Sequence, residues 1–131
     1  MKNLQTAVVL CGGRGTRLGS LGKKLPKTLV KIQGKEILWF IIKILKRNNF
    51  NHIILPLGYK ENLIRKFLKK NKNFNIKIDC ISTGVNSNIG SRIAKISGRI
   101  KSEDFLLLNG DAIFKIDINK ILKNHTNQKK K

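Results

Sequence analysis

A glycine-rich segment follows the first apolar run of the chain and contains the residue types that bind phosphate. It reads Leu10-Cys11-Gly12-Gly13-Arg14-Gly15-Thr16-Arg17-Leu18. Closely spaced glycines let backbone N–H groups approach an anion, and Arg side chains bind phosphate oxygens through paired hydrogen bonds. Because the segment follows a predicted buried strand, we expect it at the carboxyl end of that strand, where α/β sheets bind ligands. The sequence therefore predicts a phosphate-binding loop.

Two well-known phosphate loops do not match this segment. The dinucleotide fingerprint G-x-G-x-x-G, counted from Gly13 and Gly15, would have Leu18 in its last position. The Walker loop G-x-x-x-x-G-K-[ST] also fails, because Gly22–Lys24 ends in Lys rather than Ser or Thr. The loop therefore belongs to neither class.

The elements that must position this loop alternate between strand-like and helix-like segments, which is typical of an α/β domain with a mostly parallel sheet. Strands are predicted at Gln5–Cys11, His52–Leu57, Phe74–Cys80 and Phe105–Leu108, and helices at Glu36–Asn48, Lys60–Lys70, Gly90–Ser97 and from about Asp117. The last strand is the most apolar and is predicted to be buried. Apolar and polar residues alternate over Phe74–Cys80, so this strand is predicted to be half-exposed near a sheet edge. Residues 1–123 are predicted to form one domain and residues 124–131 a polar basic tail.

The charge balance is strongly basic, since 28 Lys and Arg against 7 Asp and Glu give a formal net charge of +21. Such a balance favours polyanionic partners. However, Lys, Asn and Ile are all abundant, a composition that A+T-rich coding DNA produces without selection for binding, and the aromatic residues form no stacking stripe. Phosphorylated small substrates are therefore favoured as partners over nucleic acid.

The length and the apolar runs limit the class of protein further. A chain of 131 residues is long enough for one hydrophobic core. Its longest apolar run, Ile37–Ile42, is far shorter than the roughly 20 residues of a membrane span, and no secretory signal precedes the first strand. Cys11 and Cys80 form neither a metal knuckle nor a disulfide framework. We therefore expect a cytoplasmic protein with no membrane partner.

The glycine-rich segment, followed by Pro26-Lys27, resembles the G-G-x-G-T-R-L…P-K pattern of sugar-phosphate nucleotidyltransferases. Gly34-Lys35 with Ile37–Trp39 continues the match, and Asn109–Asp111 resembles the metal-binding turn of that family. The resemblance implies a Rossmann-like three-layer α/β sandwich. It covers nearly the whole chain but only the first half of a typical member, so we expect a truncated nucleotidyltransferase domain.

A second motif resembles one branch of that family. Thr83, Gly84, Ser87, Gly90 and Arg92 follow the spacing T-G-x-x-S-x-x-G-x-R of glucose-1-phosphate cytidylyltransferases. This similarity implies CTP as the preferred nucleoside triphosphate, with guanylyl or uridylyl transfer as the alternative. Five positions depart from the usual residue: Cys11 for Ala, Thr28 for Pro, Ile89 for Thr, Ser91 for Gly and Asn109 for Tyr. Asn109 is common in the other branches, so the choice of base stays open.

The reaction that the resemblance implies is attack of a sugar 1-phosphate on the α-phosphorus of a nucleoside triphosphate, with release of pyrophosphate. Arg17 is implied to bind the triphosphate and to stabilise the leaving pyrophosphate, and Lys27 to supply positive charge between the two phosphates. Asp111 is implied to hold Mg²⁺. The other nucleotide-binding residues implied are Leu10, Cys11, Gly12, Gly13, Arg14, Gly15, Thr16, Ser87, Arg92 and Gly110.

The second half of the family pattern has no counterpart in this sequence. It contains the second metal-binding Asp, the E-K-P segment and the glycine-rich strand that binds the sugar. Two other hypotheses therefore stay open, a nucleotide-binding module without turnover and a basic nucleic-acid-binding protein. We also expect exposed apolar faces, which would favour a homo-oligomer or a C-terminal half as partner.

Overall fold

The computed structural model describes residues 5–11, 25–84, 88–100 and 104–110. In these ranges the strands are β1 Thr6–Leu10, β2 Lys31–Ile32, β3 Lys35–Glu36, β4 His52–Leu57, β5 Lys77–Ser82 and β6 Leu106–Asn109, and the α-helices are α1 Ile37–Arg47, α2 Glu61–Lys70 and α3 Ile89–Ile96. Across the same ranges, no helix has the length and apolar character needed to cross a membrane.

Four strands form one parallel sheet in the order β5-β4-β1-β6. Numbered along the chain among themselves, these strands have the order 3-2-1-4, so the direction of winding reverses between β1 and β6. In sheets of this kind, ligands bind outside the carboxyl ends of the strands at the reversal. The fold therefore directs attention to the ends of β1 and β6, at Leu10 and Asn109.

Helices cover both faces of the sheet, which confirms the predicted three-layer α/β sandwich. On one face, α1 and α2 pack over alternate strand residues, as Leu38 does in the core that contains Val9. On the other face, Ile96 of α3 packs against Val8 and Ile54. All five side chains are fully buried. Burying one Leu, Ile or Val side chain stabilises the fold by about 1.5–3 kcal/mol.

The first three predicted helices and the first two predicted strands are confirmed to within one or two residues, but the third strand begins later than predicted. Phe74 does not start it and lies instead in the 3₁₀ turn Lys72–Asn75, where each residue has a φ of 52–58°. Two tertiary contacts hold the turn. The Phe74 ring lies 5.8 Å from the ring of Phe67, and Lys46 Nζ donates to the Phe74 carbonyl at 2.8 Å. As predicted, β5 lies half-buried at a sheet edge.

The strand predicted over Phe105–Leu108 is found at Leu106–Asn109, but it is less buried than predicted. Within the described residues β6 pairs with β1 alone, and the Leu107 side chain is 42% exposed. Ile89 and Ile32 are also exposed, which agrees with the expectation of exposed apolar surface. β2 and β3 were not predicted, because two-residue strands show no periodicity. The predicted helix from Asp117 and the tail lie outside the described residues.

Candidate functional site

The carboxyl ends of β1 and β6 are joined where the winding of the sheet reverses. The backbone N–H of Gly110 donates to the Leu10 carbonyl at 3.0 Å, directly after the Leu10–Asn109 pair. The glycine-rich segment continues from Cys11, and Asp111 follows Gly110. The structure thus brings the starts of two sequence motifs together at the edge where such sheets bind ligands.

Gly110 lies so close to its neighbours that a side chain does not fit. A Cβ atom on this residue would lie 2.6 Å from Cγ2 of Thr28 and 2.7 Å from the Leu10 carbonyl oxygen. The Cys11 sulfur would lie 3.3 Å away. A backbone carbonyl inside a sheet cannot move away cheaply, so this position requires glycine. Three chain segments therefore meet at Gly110.

The 3₁₀ turn Lys27–Leu29 contacts this junction through Thr28. The Pro26 carbonyl accepts a hydrogen bond from the Leu29 N–H at 3.0 Å, which closes the turn. Thr28 and Leu29 are buried, and the Thr28 methyl group faces Gly110. Lys27 is half-buried between Pro26 and Thr28. The Pro-Lys motif therefore brings a lysine to the same edge of the sheet as the glycine-rich segment.

The Cys11 thiol is buried in this junction. Burial raises its pKa from 9.0 to about 12, and the neighbouring Thr28 hydroxyl offsets only part of this rise. Burial also raises the pKa of Cys80, whose side chain is only half-buried. Cys11 therefore acts as a small packing residue at the end of β1, in agreement with its 3% exposure.

In the native chain at pH 8 we expect a thiol reagent to modify Cys80 slowly and Cys11 hardly at all. With a pKa of about 12, only about one Cys11 side chain in 10⁴ is a thiolate at that pH. Labelling of Cys11→Ala and Cys80→Ala, in buffer and in urea, separates the two rates. The raised pKa also stabilises the fold below about pH 9, and this contribution is lost as the pH approaches 12. Fast labelling of native Cys80→Ala would contradict the buried position.

A second polar cluster lies at the carboxyl end of β5. Arg92 Nη1 donates to Thr83 Oγ1 at 2.8 Å, and Thr83 Oγ1 donates to the Leu57 carbonyl at 2.9 Å. Lys95 Nζ donates to the Thr83 carbonyl at 2.7 Å. The Arg92 side chain is positioned by α3. Asn88 is the N-cap of this helix, and its Oδ1 accepts a hydrogen bond from the Ser91 N–H. Burial lowers the pKa of Arg92, although a guanidinium stays charged.

This polar cluster and the junction at Gly110 both lie at the carboxyl ends of the strands. β4 separates β5 from β1, so two strand spacings, or about 10 Å, separate the ends of β5 and β1. His52, by contrast, is the first residue of β4 and so lies at the amino end of that strand. Its Nε2 lies 2.7 Å from Asp79 Oδ2. This pairing gives His52 a structural contact away from the junction at Gly110.

The predicted site residues are distributed unevenly over the described structure. Leu10, Cys11, Lys27 and Gly110 lie together, and Arg92 lies at the end of β5. The others lie outside the described residues: Gly12, Gly13, Arg14, Gly15, Thr16, Arg17, Ser87 and Asp111.

Sequence reasoning missed the roles of Thr83 and Lys95 in this cluster. Thr83 opens the T-G-x-x-S spacing, but the motif does not show that its hydroxyl binds a buried guanidinium. Lys95 follows Arg92 by three residues on a helix, a spacing that places two side chains on one face and was a usable signal.

The described residues hold no group of three His, Cys, Asp or Glu side chains that could bind a metal ion. A single carboxylate with phosphate oxygens and water is, however, a normal Mg²⁺ site. Asp111, which the resemblance implies as the metal ligand, follows Gly110 in the sequence and lies outside the described residues.

Comparison with known proteins identifies similar sequences. Residues 6–131 match the family described as nucleotidyl transferase. A probable glucose-1-phosphate cytidylyltransferase of Bacillus subtilis (strain 168) is 33% identical over 91% of this chain and 55% of its own length. The D-glycero-alpha-D-manno-heptose 1-phosphate guanylyltransferase of Campylobacter jejuni is 35% identical over 92% of this chain and 53% of its own length.

A solved structure gives the same picture. The crystal structure of HddC from Yersinia pseudotuberculosis complexed with GMP-PN matches with a TM-score of 0.81 and 32% identity. The match covers 92% of this chain and 54% of the chain in that crystal structure. The chain thus spans about half the length of the curated relatives that it matches.

Proposed function

Because the chain belongs to the nucleotidyl transferase family, we propose that it carries the nucleotide-binding half of a sugar-1-phosphate nucleotidyltransferase. The observation that carries this proposal is the junction at Gly110. There the start of the glycine-rich segment, the turn that holds Lys27 and the start of the Asp111 segment meet where the sheet reverses. This is the place in an open α/β sheet where a phosphate-bearing ligand binds.

In the proposed reaction, an oxygen of the sugar 1-phosphate attacks the α-phosphorus of the nucleoside triphosphate. The bond from that phosphorus to the bridging oxygen breaks, and pyrophosphate leaves with the electron pair. Arg17 binds the triphosphate, and Lys27 lies between the α-phosphate and the sugar phosphate. Mg²⁺, held by Asp111, would neutralise phosphate charge when bound. Catalysis in this scheme is positioning and charge neutralisation, so no covalent nucleophile is needed.

We propose CTP as the preferred nucleotide, which would give a CDP-sugar such as CDP-glucose, and a cytoplasmic location. The T-G-x-x-S-x-x-G-x-R spacing and the name of the Bacillus relative support CTP. Asn109 and the guanylyltransferase name of the Campylobacter relative favour the alternative of guanylyl or uridylyl transfer. A second candidate function is nucleotide binding without turnover, since the chain spans about half of these relatives.

Calorimetric titration with CTP, GTP, UTP and ATP, with and without Mg²⁺, tests the proposal. We expect Mg²⁺-dependent binding of one triphosphate, and a loss of affinity of tenfold or more in Arg17→Ala and Lys27→Ala. A hydrogen bond to a charged group contributes about 1.5–3 kcal/mol, which corresponds to that factor. Lys66→Ala is the matched control, because Lys66 is exposed on α2.

The outcomes separate the hypotheses. Binding without formation of an NDP-sugar would favour the module without turnover. If the folded wild-type chain binds no triphosphate, the proposal is wrong. DNA binding that weakens steeply with salt, with no preference for any nucleotide, would favour a nucleic-acid-binding protein instead.

A further inference from the structure

The carboxyl end of β5 is held at one residue, Thr83. Its backbone N–H donates to the Leu57 carbonyl at 2.8 Å, and its hydroxyl donates to the same oxygen at 2.9 Å. Arg92 donates to the Thr83 hydroxyl, and Lys95 donates to the Thr83 carbonyl. Four hydrogen bonds therefore meet at a residue that is only 1% exposed.

The position of β5 in the sheet explains why such a clamp is useful. Within the described residues β5 has one neighbour, β4, and the last paired residues are Ser82 and Leu57. The end of an edge strand is hydrogen-bonded to a neighbour on one side only, so it separates from the sheet easily. Here α3, which packs on one face of the sheet, supplies two charged donors to Thr83, the residue that follows β5.

Placing Arg92 and Lys95 next to each other at Thr83 has a free-energy cost. Arg92 is 5% exposed, and Lys95 reaches the same residue from one helical turn further along. Two like charges on neighbouring positions of one helix face repel each other, and burying a guanidinium removes it from water. Charge-assisted hydrogen bonds to Thr83 offset part of this cost.

We propose that Lys95 is a positioning residue of the nucleotide site. It fixes the Thr83 carbonyl while Arg92 fixes the hydroxyl, so the next residue, Gly84, starts from a fixed position. Gly84 has a φ of +93°, which makes this exit a sharp turn at the ligand-binding edge of the sheet. This inference rests on the proposed function, and it assigns to Lys95 no contact with the nucleotide.

The test uses Lys95→Met, which removes the ammonium group and keeps the aliphatic stem. Lys95→Arg is the conservative variant, and Lys66→Met is the control at an exposed position of α2. Calorimetry measures the affinity for the triphosphate that binds the wild type and for its monophosphate. Hydrogen exchange of the Thr83 amide measures the strand end directly.

We expect Lys95→Met to weaken the binding of both nucleotides by the same factor, about five- to tenfold. A positioning residue does not contact the phosphates, so its loss should not depend on their number. The Thr83 amide should exchange about tenfold faster, and Lys95→Arg should restore most of both properties. The Lys66→Met variant should behave like the wild type.

Three results would overturn the inference. A loss that is much larger for the triphosphate than for the monophosphate would mean that Lys95 binds phosphate directly. Faster exchange at Thr83 with unchanged affinities would mean that the clamp is structural only. Unchanged exchange in Lys95→Met would mean that there is no clamp. Absence of nucleotide binding by the wild type would contradict the proposed function itself, and the exchange rates would still report on the clamp.

Discussion

Gly110→Ala is expected to lower the free energy of unfolding by about 1–3 kcal/mol, the usual cost of overpacking a well-packed site. The new methyl group would lie 2.6 Å from Thr28 Cγ2 and 2.7 Å from the Leu10 carbonyl oxygen. Relief of this clash would separate β6 from β1 or displace the turn that carries Lys27. We therefore also expect weaker nucleotide binding. Urea unfolding followed by circular dichroism measures the first effect, and calorimetry measures the second.

Gly98→Ala is the matched control for this variant. Gly98 lies in the 3₁₀ turn Ser97–Arg99, and a Cβ atom there would have no heavy atom within 4 Å. Its replacement should leave stability unchanged or raise it slightly, because alanine restricts the unfolded chain. If the two variants are equally stable, the close contact at Gly110 does not exist in solution.

Leu55→Ala is expected to cost about 2–5 kcal/mol of the free energy of unfolding, the range for deleting a buried leucine side chain. Leu55 lies in β4, which has a neighbouring strand on each side, and it is fully buried in the core under α1 and α2. The lost side chain would leave a cavity that a strand in the middle of a sheet cannot close by moving.

Leu107→Ala makes the same side-chain change in β6, which pairs with β1 alone among the described strands. Leu107 is 42% exposed, so we expect this change to cost less than about 1 kcal/mol. Comparing the midpoints and slopes of urea unfolding of the two variants tests the difference in burial. A Leu107→Ala cost equal to that of Leu55→Ala would show that β6 is buried in solution, as the sequence had led us to expect.

The two departures from the family pattern near Gly110 show what structure adds to sequence. Cys11 replaces the usual Ala and Thr28 the usual Pro, and in the sequence these are two unrelated substitutions. In the fold, the Thr28 methyl group and the Cys11 sulfur both face Gly110. The pair therefore fills one space together, and a substitution at either position should be judged with its partner.

The sequence alone was sufficient for the order of the four sheet strands and the three described helices, and for the family. Each element has its own local signal: β4 is a short apolar run, and α1 repeats its apolar residues at helical spacing. The glycine-rich segment and Pro26-Lys27 are equally local. Such patterns depend only on residues close together in the chain, so they can be read without knowing the fold.

Only the tertiary structure decided which of these segments meet. The exposure of Leu107 depends on β6 having β1 as its neighbour among the described strands, and the left-handed turn at Phe74 depends on packing against Phe67. The contact of Gly110 with Thr28 and the clamp on Thr83 likewise join residues far apart in sequence. The physical reason is that strand order sets these contacts, and periodicity along one segment carries no information about its neighbours in the sheet.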